Sequence, residues 1–128
     1  MNKILITFFS ILFITGCTSS DLSGKKFVML NSYNDAKIIL NFSNDGQSYS
    51  GKVVNNYFGS YSTSGDSISF VNTGVTMMMG PHKLMDAENK YFEDLSQIKK
   101  FKFDGAILTL DLDNGKSLKF QEDGFSDF

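Results

Sequence analysis

The 128-residue chain carries twelve lysines and no arginine against fourteen acids, with one histidine, one proline and one cysteine. A net charge of −2 supplies no basic stripe to neutralise phosphates, so nucleic acid is not an expected partner. A lone cysteine excludes an intrachain disulfide and a multi-thiolate zinc site, and the length suits a single domain.

At the amino end, Lys3 precedes an apolar run over residues 4–14 that only Thr7 and Ser10 interrupt. The run is too short to anchor a folded domain across a bilayer, and its layout is that of a secretory signal. Its end, Ile14-Thr15-Gly16-Cys17, resembles the bacterial lipobox. By that resemblance residues 1–16 are a signal peptide, Ile14, Thr15 and Gly16 are read by lipoprotein signal peptidase, and Cys17 becomes a lipidated first residue. Each buried methylene contributes about 0.8 kcal/mol, so two or three acyl chains hold the protein on a membrane. An aspartate after the cysteine resembles an inner-membrane retention signal; Thr18 stands there instead, pointing to the outer membrane and the periplasm. Residues 17–23 are expected to form a short polar tether.

Beyond the tether, turn signals punctuate the chain at Ser43-Asn44-Asp45-Gly46, Ser64-Gly65-Asp66, Asp104-Gly105 and Asn114-Gly115. Between them apolar and polar residues alternate: Ile38, Leu40 and Phe42; Ile68 and Phe70; Phe101 and Phe103; Leu108, Leu110 and Leu112; Leu118 and Phe120. Period two over many short segments predicts an antiparallel sheet with one wet face, and Asn114-Gly115 is the strongest hairpin signal. One segment changes period. Ala87, Tyr91, Phe92, Leu95 and Ile98 are spaced for a helix over residues 86–99, with Asp86 as N-cap and Glu88 in the first turn. The expected fold class is therefore α+β, an antiparallel meander curled into a cracked barrel with one helix packed across it. Residues 122–128, acidic and ending in an aromatic, read as a tail.

Three blocks then carry a family resemblance. VVNNYFGSYS, ISFVNTGVTMMMGP and MDAENKYFEDL resemble the META domain, the family of the heat-inducible HslJ-like lipoproteins. Asn55, Tyr57, Gly59 and Tyr61 fall on its first block, Thr76, Met78 and Pro81 on the second, and Met85, Glu88 and Leu95 on the third. Leu108, Leu110, Gly115, Leu118 and Phe120 resemble the family's closing strands, and residues 24–121 are the META-like domain. The family's two cysteine positions appear here as Val54 and Gly80, and Phe27 stands where an early tryptophan is usual. If those cysteines are bonded to each other in relatives, losing both leaves no unpaired thiol. The resemblance implies roles in envelope stress and secretion, without an established activity. The fold it implies is shared in outline with secretin pilotin lipoproteins.

Catalysis is not announced: no serine sits in a nucleophile elbow, and one histidine must serve any triad. Asp111 and Asp113 alternate with leucines and read as a wet strand face. The segment TMMMGPHKLM is the sharper feature, since soft sulfur ligands select cuprous copper. In an extended strand Met77 and Met79 face away from Met78, so a metal set is expected only from Met77 with Met79, or from Met78, His82 and Met85. The competing reading has Met78 and Met85 filling core space, with His82 exposed. Tyr57, Phe58 and Tyr61 either pack a barrel mouth or form a partner surface. The sequence thus favours a monomeric, non-enzymatic envelope lipoprotein without a cofactor, anchored to the membrane and acting by binding an envelope protein or small ligand. A pilotin-like chaperone with a groove for an acyl chain or peptide is the alternative, and a Cu(I) binder the second.

Overall fold

The computed structural model describes residues 21–124. Cys17, the recognition residues Ile14, Thr15 and Gly16, and residues 125–128 of the tail lie outside the described residues. Eight strands follow in order: β1 (Lys26–Leu30), β2 (Ile39–Phe42), β3 (Ser48–Lys52), β4 (Asn56–Ser64), β5 (Ser67–Val75), β6 (Ile98–Asp104), β7 (Ile107–Leu112) and β8 (Ser117–Glu122). A short 3-10 turn (Tyr33–Asp35) joins β1 to β2, and one helix, α1 (His82–Leu95), joins β5 to β6. Every strand pairs antiparallel with the next, and β8 pairs with β1, so the meander closes into a barrel. The expected crack survives as one thin seam. Between β5 and β6 the paired register is reduced to Ser67↔Lys100, supplemented by the Phe101 amide donating to the Asp66 carbonyl at 2.9 Å.

Alternation decides what fills the barrel. Ile38, Leu40, Phe42, Ile68, Phe70, Phe101, Leu108, Leu110, Leu112, Leu118 and Phe120 are buried, as period two requires, and Phe103 packs against them half-buried. Their rings meet edge to face: Phe27 with Phe42 at 5.8 Å, Phe42 with Tyr61 at 4.8 Å and Tyr49 with Phe70 at 5.1 Å between centroids. Such pairs each add about 0.5–1.5 kcal/mol beyond the area they bury. The hairpin at Asn114-Gly115 forms where expected but with a three-residue loop: Gly115 takes φ +88° and its amide returns to the Leu112 carbonyl at 3.2 Å.

Two boundaries differ from expectation. The helix begins four residues early, because Pro81, with φ −58° already set, serves as N-cap and its carbonyl accepts from the Leu84 and Met85 amides. Asp86 is therefore an exposed residue inside the helix, and Glu88 lies beyond the first turn. Ile98 matched the helical spacing yet opens β6, since Ser96 ends the helix and turns the chain. At the amino end Leu22, which the sequence places in the expected tether, is buried in the core. At the carboxyl end β8 takes in Glu122.

The strand order gives the barrel two unlike ends. The helix end carries the 3-10 turn, the corner at residues 53–55, the connection through α1 and the loop at residues 113–115. The opposite end carries the tight turns at residues 43–47, 65–66 and 105–106, with both ends of the described chain. At the helix end Tyr91 donates its hydroxyl hydrogen to Tyr57 at 2.7 Å, because the single hydroxyl hydrogen of Tyr57 goes to the Ile39 carbonyl at 2.6 Å.

Burial raises the Tyr57, Tyr91 and Tyr33 hydroxyls well above the usual tyrosine range, with Asp94 adding to Tyr33, and pushes Tyr49 up to about 12. Unfolded tyrosines lose their protons near pH 10 while the folded ones hold theirs, so above pH 10 the unfolded state binds fewer protons and stability falls as pH rises. Spectrophotometric titration should show these tyrosinates appearing together with loss of structure above pH 10. Gradual ionisation of all five tyrosines near pH 10 in a folded protein would contradict the burial.

Candidate functional site

A buried carboxylate on the helix, Glu88, ties it to the β3–β4 corner of the barrel. Glu88 sits on the buried face of α1 with Ala87, Tyr91, Asp94 and Leu95, and only 2% of it is exposed. Its Oε2 accepts the Val54 amide at 3.1 Å and the Asn55 amide at 2.6 Å, and its Oε1 accepts Asn55 Nδ2 at 2.9 Å. A buried carboxylate is tolerable only when its lone pairs meet donors, and the β3–β4 corner supplies three. No lysine forms an ion pair with it among the described residues.

Asn55 extends the link to a third segment. Its Oδ1 accepts the Thr76 hydroxyl at 3.1 Å and the Met78 amide, while Nδ2 also donates to the Met78 carbonyl at 3.3 Å. Both donors and both acceptor positions of this amide are thereby used. The Thr76 hydroxyl accepts from the Asn56 amide at 3.0 Å, which fixes the exit of β5 beside the start of β4. A second buried carboxylate, Asp94, accepts from the Tyr33 hydroxyl and from Lys116 Nζ at 2.8 Å, tying the other flank of the helix to the 3-10 turn and to the residue just before β8.

This clamp holds residues 76–81 out of the sheet. β5 ends at Val75, so the alternation expected to separate Met77 and Met79 from Met78 does not apply. All three line one groove of about 310 Å³ with Val75, Met85, Phe92 and the Asn55–Glu88 pair. Met77 and Met79 are 93% and 91% exposed and Met78 is 47% exposed, so the expectation that Met78 fills the core is wrong. Asn55 holds the Met78 backbone at the surface, and Met85 is only half-buried. His82 is exposed at the first turn of α1, outside the residues lining the groove, so the set Met78, His82 and Met85 is not assembled there.

The other motif positions sort by burial. Tyr57 and Tyr61 are core residues, leaving only Phe58 of that aromatic trio exposed, so of the two readings open for them the packing of the barrel is the one their burial fits. Gly59 lies beside the β-bulge in the β4–β5 pairing, where an added Cβ would overlap the Val71 carbonyl. Pro81 and Thr76 are exposed by residue and serve the helix start and the clamp. Asp111 accepts a hydrogen bond from Ser117 at 2.6 Å on the strand surface, in keeping with a wet face. Sequence reasoning missed the clamp because Asn55 and Glu88 are 33 residues apart; the pairing of an asparagine block with a helical glutamate in the resemblance was the available signal.

Replacing Glu88 with Gln keeps the shape but turns one acceptor into a donor facing N–H groups. The expected cost is about 2–3 kcal/mol. A lower urea midpoint at unchanged slope would register it, whereas an unchanged midpoint would show that the clamp carries no stability.

The family model of the META domain matches residues 17–125. Among solved structures, the NMR structure of a protein from Burkholderia xenovorans has 22% identity and a TM-score of 0.67, covering 90% of this chain and 99% of that one. A DUF4847-family protein from Bacteroides vulgatus has 12% identity and a TM-score of 0.63, covering 78% and 93%. A further NMR structure has 18% identity and a TM-score of 0.61, covering 83% and 95%. These likenesses show the fold. No curated protein matches the chain.

The two positions at which the resemblance implies cysteines meet in space. A Cβ on Gly80 would stand 3.7 Å from the Val54 Cβ, inside the 3.5–4.5 Å range of disulfides. The double substitution Val54→Cys, Gly80→Cys should oxidise spontaneously, shift mobility on a non-reducing gel and add about 3 kcal/mol of stability. Free thiols persisting under oxidising conditions would contradict that geometry. With the family match spanning nearly all of it, this chain belongs to the META domain family.

Proposed function

We propose that the protein is a lipid-anchored envelope lipoprotein, attached through Cys17 to the outer membrane and facing the periplasm. It serves envelope maintenance under stress by binding, and the methionine groove is its binding face. The observation that carries this reading is the polarity of the barrel. The described chain begins at Asp21 on the tight-turn end, while the groove lies on the helix end. Cys17 is four residues before Asp21, a reach of at most about 14 Å, so acyl chains on its sulfur bring the tight-turn end to the bilayer. The groove then faces away from the lipid, where exposed methionines meet solutes and not acyl chains. Of the polar side chains that line the groove, Asn55, Thr76 and Glu88 are engaged in the clamp and only the neutral Asn89 amide is left over, which favours contact over chemistry.

The pilotin-like alternative draws on the same groove. An acyl chain held inside the barrel is disfavoured by the rings already packed there, and the gap between β5 and the helix, lined by Tyr49, Phe70, Asn72, Phe92, Leu95 and Ser96, holds only about 30 Å³.

Two measurements test the anchor and its orientation together. An alkyne palmitate analogue should label the wild type and not Cys17→Ser. Because lipidation removes the only native thiol, a fluorophore on Asn44→Cys or Met79→Cys is unique. Lipid-borne quenchers should quench the label at position 44 and spare that at 79. Absent labelling, or quenching confined to position 79, would overturn the reading.

A further inference from the structure

We infer that the groove is a thioether site for a soft monovalent cation, Cu(I), held by Met77, Met78, Met79 and Met85 without His82. The inference rests on the proposal that the groove is the binding face, and it names the ligand class. Three consecutive methionines do not serve the core here: two are more than nine-tenths exposed, although burying an apolar side chain of this size is worth about 1.5–3 kcal/mol. What they share with Met85 is one groove.

Methionine is unbranched with three rotatable bonds, the first two of which place its sulfur, so side chains on a clamped backbone can converge on one ion. Both oxygens of Glu88, the Asn55 amide and the Thr76 hydroxyl are already in hydrogen bonds, so four thioether sulfurs and the single exposed amide of Asn89 are the side-chain donors the groove has left. Neutral thioethers select the soft d10 cation over zinc, calcium or magnesium. Behind them lies a carboxylate with only N–H partners, favouring positive charge in the groove without occupying a ligand position.

The test uses the full-length chain in detergent with Cys17→Ser, so that the lone thiol does not compete. Ag(I) is the air-stable probe for methyl NMR, and Cu(I) is titrated against a chromophoric chelator. One equivalent of Ag(I) should move the methionine ε-methyl signals of residues 77, 78, 79 and 85 together, while buried Met29 stays in place. Met77→Leu with Met79→Leu keeps apolar surface at two exposed positions, so folding is unaffected, and should weaken Cu(I) binding at least about tenfold. Unchanged affinity in that double variant, uptake through His82 in place of the methionines, or no shift on adding Ag(I) would overturn the metal site. Palmitate labelling and quenching are independent of these readings, so a failed titration in a lipidated, correctly oriented protein removes the metal alone.

Discussion

The buried Glu88 carboxylate organises the helix end of this molecule. Glu88 reaches from α1 to two backbone amides and one side-chain amide of the β3–β4 corner, so a helix far along the chain is registered against an early strand. Charge-assisted hydrogen bonds of this kind are directional, whereas apolar packing tolerates sliding. The helix has apolar residues enough to seat itself on the barrel mouth. It needs the carboxylate to stop at one position along its axis. Losing either partner leaves a desolvated group behind, which is why the pair behaves as a unit.

From that registration the groove follows. Asn55, fixed by Glu88, uses its remaining hydrogen bonds to catch Thr76 and Met78 as β5 ends, so the chain between sheet and helix is held at the rim instead of folding over it. Three apolar side chains are thereby presented to solvent by a backbone that is anything but loose. A clamped segment with exposed sulfurs is pre-organised for a ligand, because little backbone freedom remains to be lost on binding. The tyrosine relay from Tyr91 through Tyr57 to Ile39 and the Asp94–Lys116–Tyr33 contact secure the remaining flanks of the helix. Distinct polar contacts thus close an end that the strands alone leave open.

Much of the architecture was legible before any coordinates. The alternation at Ile38, Leu40 and Phe42, or at Leu108, Leu110 and Leu112, names the inward face directly, because a strand's side-chain period is set by its own backbone. The turn at Asn114-Gly115 was readable for the same reason, and it closes as a three-residue loop. The helix was visible but misplaced by four residues. Its apolar spacing continues into Ile98, and its true start at Pro81 lies in a stretch whose methionines resemble a strand. The expected separation of Met78 from Met77 and Met79 failed for a related reason: alternation was extended past Val75, where the ladder had already ended.

Local rules, acting between residues a few positions apart, were sufficient to write the strand faces, the turns, the existence of a helix and the resemblance to a lipobox into the linear chain. Closure of the barrel between β8 and β1, the burial of Glu88 against Asn55 and the gathering of four methionines into one groove required contacts between segments distant in sequence. No local preference encodes such contacts. They arise because folding must bury the apolar faces of every element at once while each hidden polar group still finds a partner.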